Sequence, residues 1–226
     1  MKLARRHVLQ MALGVAAIPT MSGIGRAQMA ASAFAAKLET LQMSPMPGRL
    51  QPSLQLVENY EKAFGLTLPA DYREFLATFG GVSLGATYPF AELTPFGQRG
   101  MIDCFFGFAP HEAGARKTWD VHSATDLIEG APAVVAIGDD LMGGMTWLKC
   151  TGEDAGSVYF HDPQRRYTNW RDADFYSRFP NLHPEIRQYL ELRRANQLPK
   201  KKRGYENVYL IARSFSEFIA LLQPDS

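Results

Sequence analysis

Three short apolar runs separated by two glycine-rich breaks constrain the fold of this chain most. AVVAI (Ala133 to Ile137), MTWLK (Met145 to Lys149) and SVYFH (Ser157 to His161) are each of strand length, and only GDDLMGG and CTGEDAG, with the glycine turns DDLMGG and TGEDAG, stand between them. Breaks this short and rich in Gly and Asp join neighbouring antiparallel strands, so the segment reads as a three-stranded meander. The first break lies in IGDDLMGG (Ile137 to Gly144), where two adjacent carboxylates suit a metal site, an acid/base pair or only a sharp corner.

Helical patterns precede the meander. Leu56, Val57, Tyr60, Ala63 and Phe64 lie on one face of a helix that Gly65 ends. A second helix opens at Pro69 and carries Tyr72, Phe75, Leu76 and Phe79 on one stripe before Gly80 and Gly81 stop it. Aromatic residues at this spacing read as core. Between Val82 and Pro110 the pattern breaks into short aromatic runs, of which MIDCFFGF (Met101 to Phe108) is the clearest strand. A short helix is expected over Thr118 to Ile128, an irregular stretch over Pro163 to Phe179, and a helix from Pro184 with Ile186, Tyr189 and Leu190. KKKRG (Lys200 to Gly204) reads as a solvated loop. NVYLIA reads as a strand and SFSEFIALL as a closing helix, with Ser214 and Glu217 at capping-box spacing. Helices, then an antiparallel sheet, then a strand and a helix make an α+β domain.

At 226 residues, 46% hydrophobic and 21% charged, the chain is long enough for one well-cored domain. Its 24 Lys and Arg against 23 Asp and Glu give no field that would favour nucleic acid. The N-terminus has the plan of a signal peptide over residues 1–27: basic Lys2, Arg5 and Arg6, an apolar stretch from Val8 to Ile18, and a small-x-small site at Gly25 and Ala27. Arg5 and Arg6 followed by Val8 and Leu9 are similar to a twin-arginine export motif, from which Ala4, Val8 and Gln10 depart. An ordinary secretory signal, an uncleaved anchor and a cytoplasmic protein are the alternatives. Gly14, Pro19 and Gly23 interrupt the apolar stretch, so no stable membrane span is expected once the signal is removed. Loss of residues 1–27 removes Lys2, Arg5, Arg6 and Arg26 and no acid, leaving 20 basic against 23 acidic residues, a net −3. Residues 28–52 read as an Ala-rich, loosely helical segment followed by a Pro/Gly linker, with the compact domain over 53–226.

The acids of the IGDDLMGG turn are followed by Leu and Met, unlike a calcium loop, and the histidines show no HxxxH or HExxH, so no metal or cofactor is expected. Asp139 and Asp140 would repel a phosphate. There is no GxSxG, and neither Cys104 nor Cys150 lies in the Gly turn or helix start that activates a thiol. Adjacent carboxylates in an extended turn point apart, which disfavours acid/base work. A disulfide is open to an exported chain, but both cysteines lie in apolar runs, and buried free thiols are the preferred reading.

Three motifs then carry a resemblance. VENYEKAFGLTLPADYREFLATFGG, IGDDLMGGMTWLKCTGEDAGSVYFHDP and IARSFSEFIALL, spread over Leu54 to Leu222, resemble in order the opening, central block and closing helix of the SUKH superfamily, the Smi/Knr-type domain. Leu141 and Met142 stand where that family more often has Gly, and Pro163 to Tyr205 is long. The resemblance implies a protein-binding module rather than an enzyme: bacterial relatives are immunity proteins that sit on polymorphic toxins, and fungal relatives regulate cell-wall synthesis. A regulatory or scaffold role in envelope assembly and an unrecognised hydrolase are the competing readings. On an inhibitor, Asp139, Asp140, Glu153, Asp154 and Asp162 would form an acidic patch that steers toward a basic partner, or else merely solubilise turns. Trp170 is an interface anchor or a packing residue. The glycines of IGDDLMGG are expected to supply positive φ, and its Asp side chains to bond turn amides.

Overall fold

In the computed structural model, residues 34–109, 133–140, 142–163, 178–179 and 181–225 are described. They form a helix α1 (residues 34–40), β1 (Ser44–Pro45), α2 (Leu54–Phe64), α3 (Ala70–Thr78), β2 (Val82–Pro89), β3 (Arg99–Phe105), β4 (Val134–Asp139), β5 (Met145–Lys149), β6 (Val158–His161), α4 (Pro184–Arg194), β7 (Val208–Ala212), α5 (Phe215–Leu221) and β8 (Gln223–Pro224). The expected export signal, the Thr118 to Ile128 helix, Trp170 and most of Pro163 to Phe179 lie outside the described residues. Among the described residues no helix is long and apolar enough to cross a membrane.

The eight strands make one antiparallel sheet in the order β1-β2-β3-β4-β5-β6-β7, with β8 also on β2. The meander read from the sequence is its centre, β4 to β6. Local chemistry starts and stops the helices, at Gly65 and Ser214 as expected. Ser53 Oγ accepts the Leu56 N–H at 3.3 Å at the head of α2, and Gly65 ends that helix at φ 61°. Ser214 Oγ accepts the Glu217 N–H at 3.0 Å at the head of α5. Glu217 in return accepts the Arg213 N–H at 2.8 Å.

α3 and α5 are held together by Asp71, whose carboxylate accepts from Ser216 N–H and Oγ at 2.8 and 3.0 Å. Beneath them Phe75 meets Phe105 and Phe215 edge-on, each with ring centroids 5.0 Å apart. The core also reaches back to Phe34, Leu38 and Leu41, all buried, and Ser44 pairs with Ser83. From residue 34 onward, the stretch that reads as a loose segment and linker is therefore packed into the domain. Its apolar residues are too widely spaced among Ala and Pro to reveal by pattern alone that a groove awaits them.

The sheet curls until its ends approach. Just past β2, the Ala91 N–H donates to Leu210 O of β7 at 3.0 Å, and Glu92 accepts the Leu210 N–H at 2.6 Å. Lys201 pairs with Glu92 at 2.6 Å, donates to Val208 O at 3.0 Å and lies 4.8 Å from the centre of the Tyr209 ring. Lys200, Lys202 and Arg203 are exposed, as a solvated loop requires, but Lys201 is a clasp on the last strand.

Candidate functional site

The IGDDLMGG corner is built around Asp140. Its Oδ1 accepts the N–H of Met142 at 2.9 Å and of Gly144 at 2.7 Å, and its own N–H donates to Gly144 O at 3.2 Å. Asp140 is consequently buried at 9% exposure, while Met142 is lifted to the tip at 67%. Of the three glycines only Gly143 has positive φ, 91°. Gly138 and Gly144 are required by close approach instead: a Cβ on Gly138 would strike the Cys104 carbonyl oxygen, and one on Gly144 the Phe160 ring. The positive-φ expectation holds for one glycine of the three.

Pairing registers then place the neighbours. Cys104, Asp139, Met145, His161 and Val208 are successive partners across β3 to β7 and form one row on a sheet face. Within that row Cys104 Sγ donates to Asp139 Oδ1 at 3.2 Å, and burial together with that carboxylate pushes the thiol pKa up, so Cys104 is a poor nucleophile. Cys150 is only half-buried, and burial raises its thiol to about 12. Both cysteines are free. Trp147 stacks on His161 with centroids 3.9 Å apart, and Asn207 Nδ2 lies 3.1 Å from His161 Nε2 and donates to the Asp162 carbonyl.

The five acids singled out in the sequence are not one surface. Asp139, Asp140 and Asp162 gather at the corner end of β5, whereas Glu153 and Asp154 lie in the β5–β6 turn at its other end. The length of β5, roughly 13–17 Å at about 3.3 Å per residue, separates the groups. Glu153 is exposed. Asp154 is half-buried and accepts the hydroxyls of Tyr159 and Tyr205 at 2.9 and 3.0 Å. Burial raises the pKa of Asp154, but these two donors, with a backbone amide and the Lys149 charge, hold the carboxyl below the usual range. Asp162 is fully buried at 0% exposure, so its carboxylate is not offered to a partner in this fold.

One acid absent from the sequence reading adjoins the corner. The pKa of Asp103, on β3, is raised by burial and then by the nearby charges of Asp139, Asp140 and Asp225. Asp103 is far from the turn in the chain and is brought beside it by the pairing of Cys104 with Asp139, whereas Asp225, bonded to Gly85 at the other edge of β2, acts on Asp103 from two strands away. Between Met142 and the sheet lies a cavity of about 250 Å³ walled by Phe90, Phe96, Met101 and Phe160, with Arg99 at its side. Arg99 already donates to Thr87 and Gln223 at 2.7 and 2.6 Å. No group of three or more His, Cys, Asp or Glu able to hold a metal occurs among the described residues.

Set against known proteins, the chain is matched over residues 51–221 by one family model, described as the SMI1 / KNR4 family (SUKH-1). No curated protein and no solved structure matches it.

Proposed function

The chain belongs to the SMI1/KNR4 family (SUKH-1), and on that premise we propose that it is a non-catalytic protein-binding module of the immunity type, which binds and neutralises a toxin or effector through the β4–β5 corner. The observation that carries the reading is Met142, 67% exposed at the tip of a turn that Asp140 holds by two hydrogen bonds. A large, adaptable apolar side chain on a rigid support loses little entropy on docking and acts as an anchor for a partner. Asp139 in the turn and Asp103 on the neighbouring strand add negative charge suited to a basic surface. The acidic determinant is thus Asp103 and Asp139 at the corner, with Glu153 a separate charge at the far end of β5. The encounter is assigned to the periplasm, on the strength of Arg5, Arg6 and the Ala27 site in the sequence.

A single experiment tests both parts. The protein is recovered from fractionated native cells, its N-terminus sequenced and its stoichiometric partner identified, with Met142→Glu as the paired bait. A periplasmic chain starting after Ala27, holding a toxin at least tenfold more tightly than the Met142→Glu form, is the expected result. A start at Met1 in the cytosol removes the export claim. Equal binding by both baits removes the corner, and recovery of wall-synthesis proteins replaces immunity by a scaffold role.

A further inference from the structure

The packed N-terminal segment encloses a second cavity, of about 280 Å³, between residues 43–52, the C-terminal end of α3 and the start of β2. Met43, Met46, Phe79 and Val82 give it apolar walls, and Gln51, Thr78 and Arg49 its polar ones. It is a fixed feature rather than a chance gap, because the Met46 N–H donates to Gly81 O at 3.0 Å and the Leu50 N–H to Phe108 O at 2.8 Å. Arg49 lies between these two ties. Gly81 makes room for its stem: a Cβ there would come within 3.2 Å of Arg49 Cγ.

The guanidinium of Arg49 is the anomaly. Its Nε and Nη1 are shut off from solvent and have no hydrogen-bond acceptor. Buried N–H groups of a cation without acceptors are costly, and a guanidinium is best satisfied by a planar oxyanion that takes two parallel bonds. To meet an oxyanion in the adjoining cavity the fork has to turn about its side-chain torsions, a movement that the proposal includes. We propose that this cavity binds the C-terminal residue of a peptide or protein, with the free carboxylate on Arg49 and the last apolar side chain between Met43, Met46, Phe79 and Val82.

Size and chemistry select this occupant. The cavity falls just below the roughly 300–1,000 Å³ of sites that take drug-sized ligands, so it suits one residue. A chain terminus carries a carboxylate and an apolar side chain on the same carbon, whereas an internal Asp or Glu offers a carboxylate with no apolar companion. The assignment is independent of the Met142 corner.

The test uses the full chain and three tetrapeptides followed by NMR titration: Ala-Gly-Ala-Leu with a free carboxylate, the same peptide as its C-terminal amide, and an amidated peptide with an internal Glu. Expected are shifts at Thr78 and Gly81 with the free acid, binding at least tenfold weaker for both other peptides, and loss of binding in Arg49→Met. Equal binding of acid and amide, equal binding of the internal Glu peptide, or no binding of the acid at millimolar concentration overturns the proposal. Should Arg49→Met fail to fold, the acid-to-amide ratio on the unaltered protein decides. Met142→Glu leaves that ratio unchanged, so failure here and failure of the corner are told apart.

Discussion

Asp140 shows how one side chain can turn a chemical-looking motif into a structural one. Its carboxylate holds the amides of Met142 and Gly144, and the second of these is buried. Replacing it by Ala leaves both donors without an acceptor, and the expected cost is about 1–3 kcal/mol, read as a lower urea midpoint with unchanged slope. Asp140→Asn keeps the accepting oxygen and should lose less than half as much. A result in which both variants melt like the parent would mean that the corner holds itself by backbone alone. The sequence already suggested that an Asp here bonds turn amides. It could not say which Asp, because Asp139 and Asp140 differ only in the direction their side chains leave the end of β4, and that is set by pairing with Cys104 and Met145.

At the level of elements, the weak point of an open sheet is its last strand, whose unpaired groups can template another chain. Here β7 is closed off by Ala91, Glu92 and Lys201, supplied from far away in the chain. Glu92→Ala is expected to cost about 1–2 kcal/mol, chiefly through the lost hydrogen bond to the Leu210 N–H. It should also raise light scattering on heating as the edge opens. Glu92→Gln keeps the acceptor and loses only a half-exposed ion pair with Lys201, a difference of about 0–1 kcal/mol. Strands and helices were legible because each carries its own periodicity: β4 to β6, α2, α3 and α5 stand where apolar spacing put them. The clasp was not legible, since a Lys in a run of four basic residues looks like solvent-facing charge until β7 is seen beside it.

For the whole molecule, the question is where the domain begins. Phe34 meets Phe75 and Phe215 at 6.2 and 6.0 Å, and Leu38 is wholly buried, so α1 is part of the one core. Leu38→Ala is expected to destabilise the protein by about 2–5 kcal/mol, as for other buried leucines. Deleting residues 1–27 should leave the thermal midpoint unchanged, and deleting residues 1–42 should lower it by more than Leu38→Ala does. A domain that melts identically without residues 1–42 would restore the boundary at Ser53. The same packing creates the cavity that holds Arg49, in a stretch that composition presented only as Pro and Gly.

By itself the sequence determined the α+β class, the antiparallel meander, the helix ends and the family, because turn chemistry, caps and periodicity act over a few residues and leave local signatures. Only the tertiary structure decided which acids share a surface, which are spent on hydrogen bonds, and which cation is left without an acceptor. Those outcomes depend on which residues distant in the chain become neighbours, through strand register, the curl of the sheet and the docking of α1. IGDDLMGG could be read as a corner from its letters. That it raises Met142 above an aromatic cavity, with Asp103 brought beside it from elsewhere in the chain, required the fold.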